Sequence, residues 1–193
     1  MLIFCTAVPA APPGGNAQAL DRCIATAAQG DSEGLTELYR LTHAAVYGFA
    51  LSIVKNAQDA EDVLQDVYLQ VWQSAGSYRS QGKPMAWLLT IARNLSLSRL
   101  RERSRTVPLS PEDWQARFAQ TPAVTQDDRL ALEALLEVLS DEERQVVALH
   151  AVAGLKHRET ARLLSLPLST VLSKYHRALK KLQLALKEEC GHA

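Results

Sequence analysis

Apolar residues recur at helical spacing along most of the 193-residue chain, and no stretch alternates apolar and polar positions as a half-buried strand does. The helical period begins at Leu20, and Asp31 or Ser32 suits the N-cap of a first long helix. The apolar positions of that helix are Leu35, Leu38, Tyr39, Leu41, Val46, Phe49 and Ile53. Lys55 and Asn56 interrupt the period. The pattern predicts an all-α protein.

Two neighbouring helical segments have opposite charge. In the first, DAEDVLQDVYLQVW from Asp59, the apolar residues share one face and acids and glutamines fill much of the remainder. The second, PMAWLLTIARNLSLSRLRERSR from Pro84, is apolar at its start and basic towards its end. Its basic residues are Arg93, Arg99, Arg101, Arg103 and Arg105. An acidic face suits a basic protein surface and a basic face suits phosphates, although solvated faces of a bundle have the same pattern.

Two segments without helical periodicity divide the chain. Residues 1–18 contain prolines and glycines, no helical periodicity and too little apolar surface to fold, which predicts a disordered tail. Residues 106–128 contain Pro108, Pro111 and Pro122 among acidic residues, which predicts a flexible, acidic linker. We therefore predict a four-helix domain over 19–105 and a second small helical domain over 129–189.

The second domain has the pattern of a helix-turn-helix. A helix through Leu132, Leu135, Leu136 and Leu139 is followed by Ser140 and Glu143 at capping-box spacing. Gly154 should end that helix, and a short helix, a turn at 165–168 and a longer helix opened by Ser169 or Thr170 should follow. In the last helix, the apolar side is Val171, Tyr175, Ala178, Leu182 and Leu186. The opposite side, with Ser169, Ser173, His176, Arg177 and Lys180, is suited to a DNA major groove.

Composition sets limits on the function. The 21 basic and 21 acidic residues cancel, so DNA binding has to depend on their separation into blocks. The odd number of cysteines, three, fits a reducing cytosol, and their spacing predicts no metal. We expect His150, His157 and His176 to be surface or capping residues. The N-terminal apolar stretch MLIFCTAV is too short to span a bilayer, so we expect a cytoplasmic protein without a membrane-inserted segment.

Three motifs, in this order, resemble those of an extracytoplasmic-function (ECF) sigma factor of the sigma-70 family: AEDVLQDVYLQVW, AWLLTIARN, and GLKHRETARLLSLPLSTV with RALKKL. The resemblance implies a region 2 bundle and a region 4 helix-turn-helix. It also implies a factor that binds core RNA polymerase, directs it to particular promoters in response to a stress signal, and is controlled by an anti-sigma factor. Such a protein is not an enzyme and requires no cofactor.

The resemblance also assigns residues. The polymerase-binding residues are Asp62, Gln65, Asp66 and Trp72. The minus-ten residues are Lys83, Arg93, Asn94 and Arg101, and the loop 78–83 helps to hold an unstacked base, whereas Trp87 is a core residue. The minus-thirty-five residues are Arg158, Ser169, Thr170, Ser173, Lys174, Arg177 and Lys180.

Two other classes of protein are less consistent with the sequence. A stand-alone helix-turn-helix regulator has a very similar C-terminal module, but the acidic helix and AWLLTIARN have no role in such a protein. An enzyme is disfavoured because the sequence contains no Gly-rich phosphate loop, no nucleophile elbow and no paired catalytic carboxylates in an apolar pocket.

Overall fold

The computed structural model describes residues 15–103 and 138–190, with side chains for 17–102 and 138–185, and within these ranges it contains helices and no strand, which confirms the all-α class. The helices are α1 (Gly15–Ala28), α2 (Ser32–Val54), α3 (Ala57–Ser74), α4 (Pro84–Arg103), α5 (Asp141–Val147), α6 (His157–Leu164) and α7 (Leu168–Cys190). A 3-10 turn, Ala75–Ser77, follows α3, and a π-helical segment, Ala148–Val152, follows α5. Across the described residues, no helix is both long and apolar enough to cross a bilayer.

Helix α1 begins earlier than the sequence analysis predicted. It starts at Gly15, so the tail prediction was wrong for residues 15–18. The helix buries Leu20, Ile24 and Ala27, and this packing stabilises it more than its intrinsic helix propensity does. Its N-terminal end therefore extends further towards the prolines than the periodicity predicted. Residues 1–14, the predicted linker 106–128 and the predicted helix through Leu132, Leu135 and Leu136 lie outside the described residues.

The first domain is built around α2, which packs against α1, α3 and α4. Its N-cap is Asp31, whose Oδ1 accepts the Glu33 N–H at 2.8 Å. Lys55 ends α2 in the left-handed conformation, and Asn56 then caps α3 by accepting the Asp59 N–H at 2.8 Å. The cap of α2 is therefore Asp31 rather than Ser32, the other candidate, and the interruption predicted at Lys55 and Asn56 is confirmed. The last six residues of α2, 49–54, are all buried, so its C-terminal turns are covered on every side.

The second domain contains α5, the π segment, α6 and α7. The predicted capping box is present, with the Ser140 N–H donating to Glu143 Oε2 at 3.0 Å. Gly154 has a left-handed φ of 72° and lies just past the π segment, which ends at Val152, so the predicted end of this helix is confirmed. Val146, Leu149 and Val171 are buried where α5, the π segment and α7 meet.

The two domains contact each other. Helix α2 packs against α5 and the π segment, and α4 touches α6. Lys55 Nζ lies 2.7 Å from Asp141 Oδ2, and Lys83 Nζ lies 3.6 Å from Glu159 Oε1. Val146 and Leu149 belong to the same apolar cluster as the buried residues of α2. The domain contact therefore has an apolar centre and two ion pairs.

Gly34 determines how closely α1 and α2 approach. A Cβ atom there would lie 2.7 Å from the Ala27 nitrogen and the Cys23 oxygen, both backbone atoms that cannot rotate away. We expect Gly34→Ala to lower the unfolding free energy by about 1–3 kcal/mol, because α1 has to shift. The control is Gly48→Ala, also within α2, where a Cβ meets nothing within 4 Å. That variant should be neutral or stabilising, by up to about 1 kcal/mol. Equal effects in urea unfolding would contradict the close approach.

Candidate polymerase and nucleic-acid interfaces

The four predicted polymerase-binding residues lie on one side of α3. At about 100° per residue, Asp62, Gln65, Asp66 and Trp72 fall within an arc of about 120°, opposite the buried stripe that contains Val63, Val67 and Val71. Gln65 and Asp66 are exposed. The same arc contains two large exposed apolar side chains, Leu69 at 61% and Trp72 at 38%. A face of this kind suits a partner protein whose surface is basic and can also bury the two apolar side chains.

Asp62 does not stand alone on that face. Its carboxylate is ion-paired with Arg99 of α4, and Arg99 Nε also lies 3.3 Å from Asp59 Oδ1. Gln58 donates a further hydrogen bond to Asp62 at 3.3 Å. Arg99 was predicted to belong to the basic run of α4 that suits phosphates, and that interpretation was wrong. Two carboxylates on the neighbouring helix attract Arg99, so it joins α3 to α4.

The predicted minus-ten residues form a stripe along α4. Lys83 precedes the helix, and Lys83, Arg93, Asn94 and Arg101 fall within an arc of about 100° over a length of about 27 Å. Lys83, Asn94 and Arg101 are exposed and Arg93 is half-buried. In this conformation Lys83 is ion-paired with Glu159 of the second domain. The stripe offers fixed positive charge along a length suited to several nucleotides.

Trp87 packs at the start of α4. It is half-buried against the core, and its ring centroid lies 4.6 Å from that of Tyr78. This contact agrees with the predicted core role. The loop 78–83 precedes it, and Arg79, Ser80, Gln81, Gly82 and Lys83 are exposed there.

The helix-turn-helix is present with one shifted boundary. Ser165 ends α6 in the left-handed conformation, at φ 57° and ψ 38°, and the Leu166 N–H donates to the Ala161 carbonyl at 3.0 Å. The Pro167 carbonyl accepts the Val171 N–H at 3.1 Å, so α7 begins at Leu168 and not at Ser169 or Thr170. Pro167 thus accepts a hydrogen bond through its carbonyl. Its lack of an N–H costs nothing here, because the N–H groups at the start of a helix have no partner within the helix.

The two sides of α7 divide as predicted over the side chains that the structure describes, which do not include Leu186. Val171 and Ala178 are fully buried, whereas Ser169, Ser173, Arg177 and Lys180 are exposed, as is Arg158 on α6. Thr170 is half-buried. Lys174, which the resemblance assigned to the minus-thirty-five element, has a side chain that is only 16% exposed and is ion-paired with Glu142 of α5. It lies about 140° from Ser169 around the helix, between the two faces, and the acid on α5 attracts it.

Glu143 connects α5 to α7 from a buried position. Its Oε2 accepts the Ser140 N–H at 3.0 Å and the Lys181 ammonium at 2.7 Å. Burial by itself would raise the pKa of the Glu143 carboxyl, but these hydrogen bonds outweigh burial and lower the pKa to about 2. The carboxylate is therefore charged and paired at neutral pH.

Two histidines were misread from the sequence. His150 and His157 stack at 3.8 Å between centroids, and both rings meet the edge or face of Tyr175 at about 5 Å. They pack the π segment and α6 against α7 rather than lying on the surface. His150 Nδ1 lies 2.7 Å from the Leu155 carbonyl. Burial, followed by the neighbouring His150 and His176, lowers the pKa of His157. His176 is exposed, as expected.

Comparison with known proteins agrees with this geometry. The family model for sigma-70 region 2 matches residues 38–106, and the model for sigma-70 region 4 matches residues 129–182. Together they cover more than half of the chain.

The chain belongs to the sigma-70 family. Its curated relatives include the ECF RNA polymerase sigma factor SigK of Mycobacterium ulcerans (strain Agy99), 29% identical over 181 residues, 90% of this chain and 97% of the relative. SigK of Mycobacterium sp. (strain KMS) is 30% identical over 174 residues, 86% of this chain and 90% of the relative. Within the family the protein is therefore an ECF sigma factor.

Two solved structures resemble this sigma factor. CnrH, in complex with the cytosolic domain of CnrY, has a TM-score of 0.58 at 24% identity, covering 88% of this chain and 98% of that chain. The sigma factor RpoE, in complex with the anti-sigma factor NepR from Bartonella quintana, has a TM-score of 0.60 at 27% identity, covering 79% and 96%. The first likeness concerns the fold alone.

The Glu143 site makes the stability of the sigma factor depend on pH. Because the folded-state pKa lies below the ordinary value of 4.5, ionised Glu143 stabilises the fold above that value, and the contribution is lost as the pH falls towards 2. Glu143→Gln should lower the unfolding free energy at neutral pH by about 1–3 kcal/mol, with the deficit shrinking in acid. The exposed neighbour provides the control, since Glu142→Gln should cost at most about 1 kcal/mol. A pH-independent deficit would refute the assignment.

Ser165 carries conformational strain that glycine would relieve. A left-handed φ of 57° is unfavourable for a residue with a Cβ and costs glycine little. Ser165→Gly should therefore raise the unfolding free energy by about 1 kcal/mol, whereas Ser165→Ala should give no gain. Urea unfolding of the three proteins tests this, and a lower midpoint for the glycine variant would contradict it.

Proposed function

We propose that this ECF sigma factor binds core RNA polymerase through the exposed face of α3 and reads promoter DNA with α4 and α7. The observation that carries the proposal is the separation of three surfaces. Gln65, Asp66 and Trp72 form an acidic and apolar face on α3, the basic stripe of α4 lies on another helix, and the exposed side of α7 lies in another domain. Each surface has the chemistry of the partner assigned to it.

Promoter opening in this proposal involves no reaction catalysed by the sigma factor. The free energy comes from polymerase binding and from capture of unpaired bases along α4 and the loop 78–83. The protein acts in the cytoplasm, needs no cofactor and is not an enzyme. The likeness to RpoE bound to NepR supports control of this chain by an anti-sigma factor, released in response to a stress signal.

Promoter binding requires the two domains to separate. The minus-ten and minus-thirty-five elements are about 25 base pairs apart, which is about 85 Å of duplex. In the free protein Lys83 and Glu159, which belong to the two reading domains, are 3.6 Å apart. The pairs Lys83–Glu159 and Lys55–Asp141 therefore break when both elements are bound. Exposed pairs of this kind contribute at most about 1 kcal/mol each, so polymerase binding can offset their loss.

The experiment that tests the function is run-off transcription with core RNA polymerase on a promoter library. Transcripts from a discrete class of promoters, dependent on this protein, support the proposal. Binding of duplex DNA as a dimer without polymerase, together with no polymerase-dependent transcript, would instead favour a stand-alone helix-turn-helix regulator, which carries the same kind of α6–α7 module.

Asp66 is the acid best suited to a test of the docking face, because it is exposed and Asp62 is occupied by Arg99. Asp66→Arg should weaken binding to core polymerase at least about tenfold, since like charges would then face each other. The control is Glu33→Arg, which makes the same charge change at an exposed position of α2. Titration of labelled protein with core polymerase gives both affinities. Equal affinities for Asp66→Arg and the unaltered protein would rule out α3 as the docking helix.

A further inference from the structure

Helix α1 contacts the segment that leads into the minus-ten helix. This helix precedes residue 38, where the match to sigma-70 region 2 begins, so the family model assigns nothing to it. It packs against α2, the 3-10 turn and α4. Its residue Asp21 faces the loop 78–83, which the proposed function gives a role in holding an unpaired base.

The carboxylate of Asp21 binds two hydroxyl groups of that loop with separate oxygens. Tyr78 OH donates to Oδ1 at 2.7 Å, and Ser80 Oγ donates to Oδ2 at 2.8 Å. Burial, followed by the hydrogen bond to Asp21, raises the pKa of Tyr78, so its hydroxyl remains a donor throughout the physiological pH range. Hydrogen bonds to a charged acceptor are stronger than neutral ones, and two of them restrain one end of a short loop.

The spacing of the two anchored residues determines what the loop presents. Tyr78 has an extended backbone, at φ −64° and ψ 128°, and successive side chains of an extended chain point to opposite sides. Tyr78 and Ser80 are hydrogen-bonded to Asp21, and Arg79 and Gln81, on either side of Ser80, are exposed. A cationic and an amide side chain are groups that can contact phosphate and base edges.

The other contacts of the loop complete the restraint. The Tyr78 ring lies against Trp87 of α4, at 4.6 Å between centroids. At the far end Lys83 pairs with Glu159 of the second domain, a contact that opens when the domains separate. Asp21 belongs to the same domain as the loop, so its restraint persists in the promoter complex.

We propose that Asp21 is a positioning residue for promoter recognition, which fixes the loop 78–83 through Tyr78 and Ser80 so that Arg79 and Gln81 face the unpaired minus-ten strand. This inference rests on the proposed function. It assigns to α1 a part in base selection without direct contact to DNA.

The test uses holoenzymes and a fork-junction DNA library whose unpaired minus-ten strand is randomised. Asp21→Ala should reduce the ratio of selected to unselected sequences about tenfold, the effect of losing a charge-assisted hydrogen bond network, while core affinity stays unchanged. Tyr78→Phe, which keeps the ring on Trp87, and Ser80→Ala should each give part of that loss. Combining Tyr78→Phe or Ser80→Ala with Asp21→Ala should cause no further loss of base selection, because all three substitutions remove the same hydrogen bonds. The control is Glu37→Ala, whose partner is the exposed Arg40 of α2.

Three results would overturn the inference. Unaltered base selection by Asp21→Ala is the first. The second is a loss of base selection in the combined variants that equals the sum of the single losses. The third is an Asp21→Ala variant that loses core affinity and fork binding equally and unfolds at a lower urea concentration, because Asp21 would then be needed only for folding. Failure of the proposed function is distinguishable, because the unaltered holoenzyme would then select no sequence at all.

Discussion

Burial of α2 is the interaction on which the rest of the described structure depends. The helix packs against α1, α3, α4, α5 and the π segment, and its last six residues, 49–54, are all buried. Each neighbour that covers these residues adds to the buried apolar area, so the position of every neighbour is set relative to α2. Gly34 permits the closest of these approaches. The acidic face of α3 and the basic stripe of α4 are therefore held as fixed surfaces.

Ion pairs between neighbouring helices then determine which charged side chains remain exposed on these surfaces. Arg99 is ion-paired with both Asp59 and Asp62 where α3 and α4 meet, whereas Asp66 is an exposed acid on α3 and Asn94 and Arg101 are exposed on α4. In the second domain, Glu142 and Glu143 pair with Lys174 and Lys181, while Arg177 and Lys180 remain exposed. Basic residues next to acids thus hold helices together, and the proposed function assigns contacts with phosphates to basic residues further along the helices.

Much of this could be predicted from the sequence because its causes are local. The caps at Asp31 and Ser140, the interruption at Lys55 and Asn56, the stop at Gly154 and the buried stripe of α7 each depend on residues within a few positions of one another. What was missed depends on residues far apart in the chain. The link from Asp21 to the loop 78–83 and the contact of α2 with α5 are of this kind. The stretch FALSIV, in which Ser52 is the one polar residue, was a signal for that second contact, since a helix packed on one face alone carries more polar residues on its other face.

The two domains are in contact in this structure, and we propose that they separate when both promoter elements are bound. Labels at exposed positions outside the proposed surfaces, Gln29→Cys and Gln183→Cys with the natural cysteines replaced, allow the distance to be measured by fluorescence energy transfer. The account predicts one short distance in the free protein and a distance longer by tens of ångströms in the complex with polymerase and promoter. The same distance in both states, or a long distance in the free protein, would contradict it.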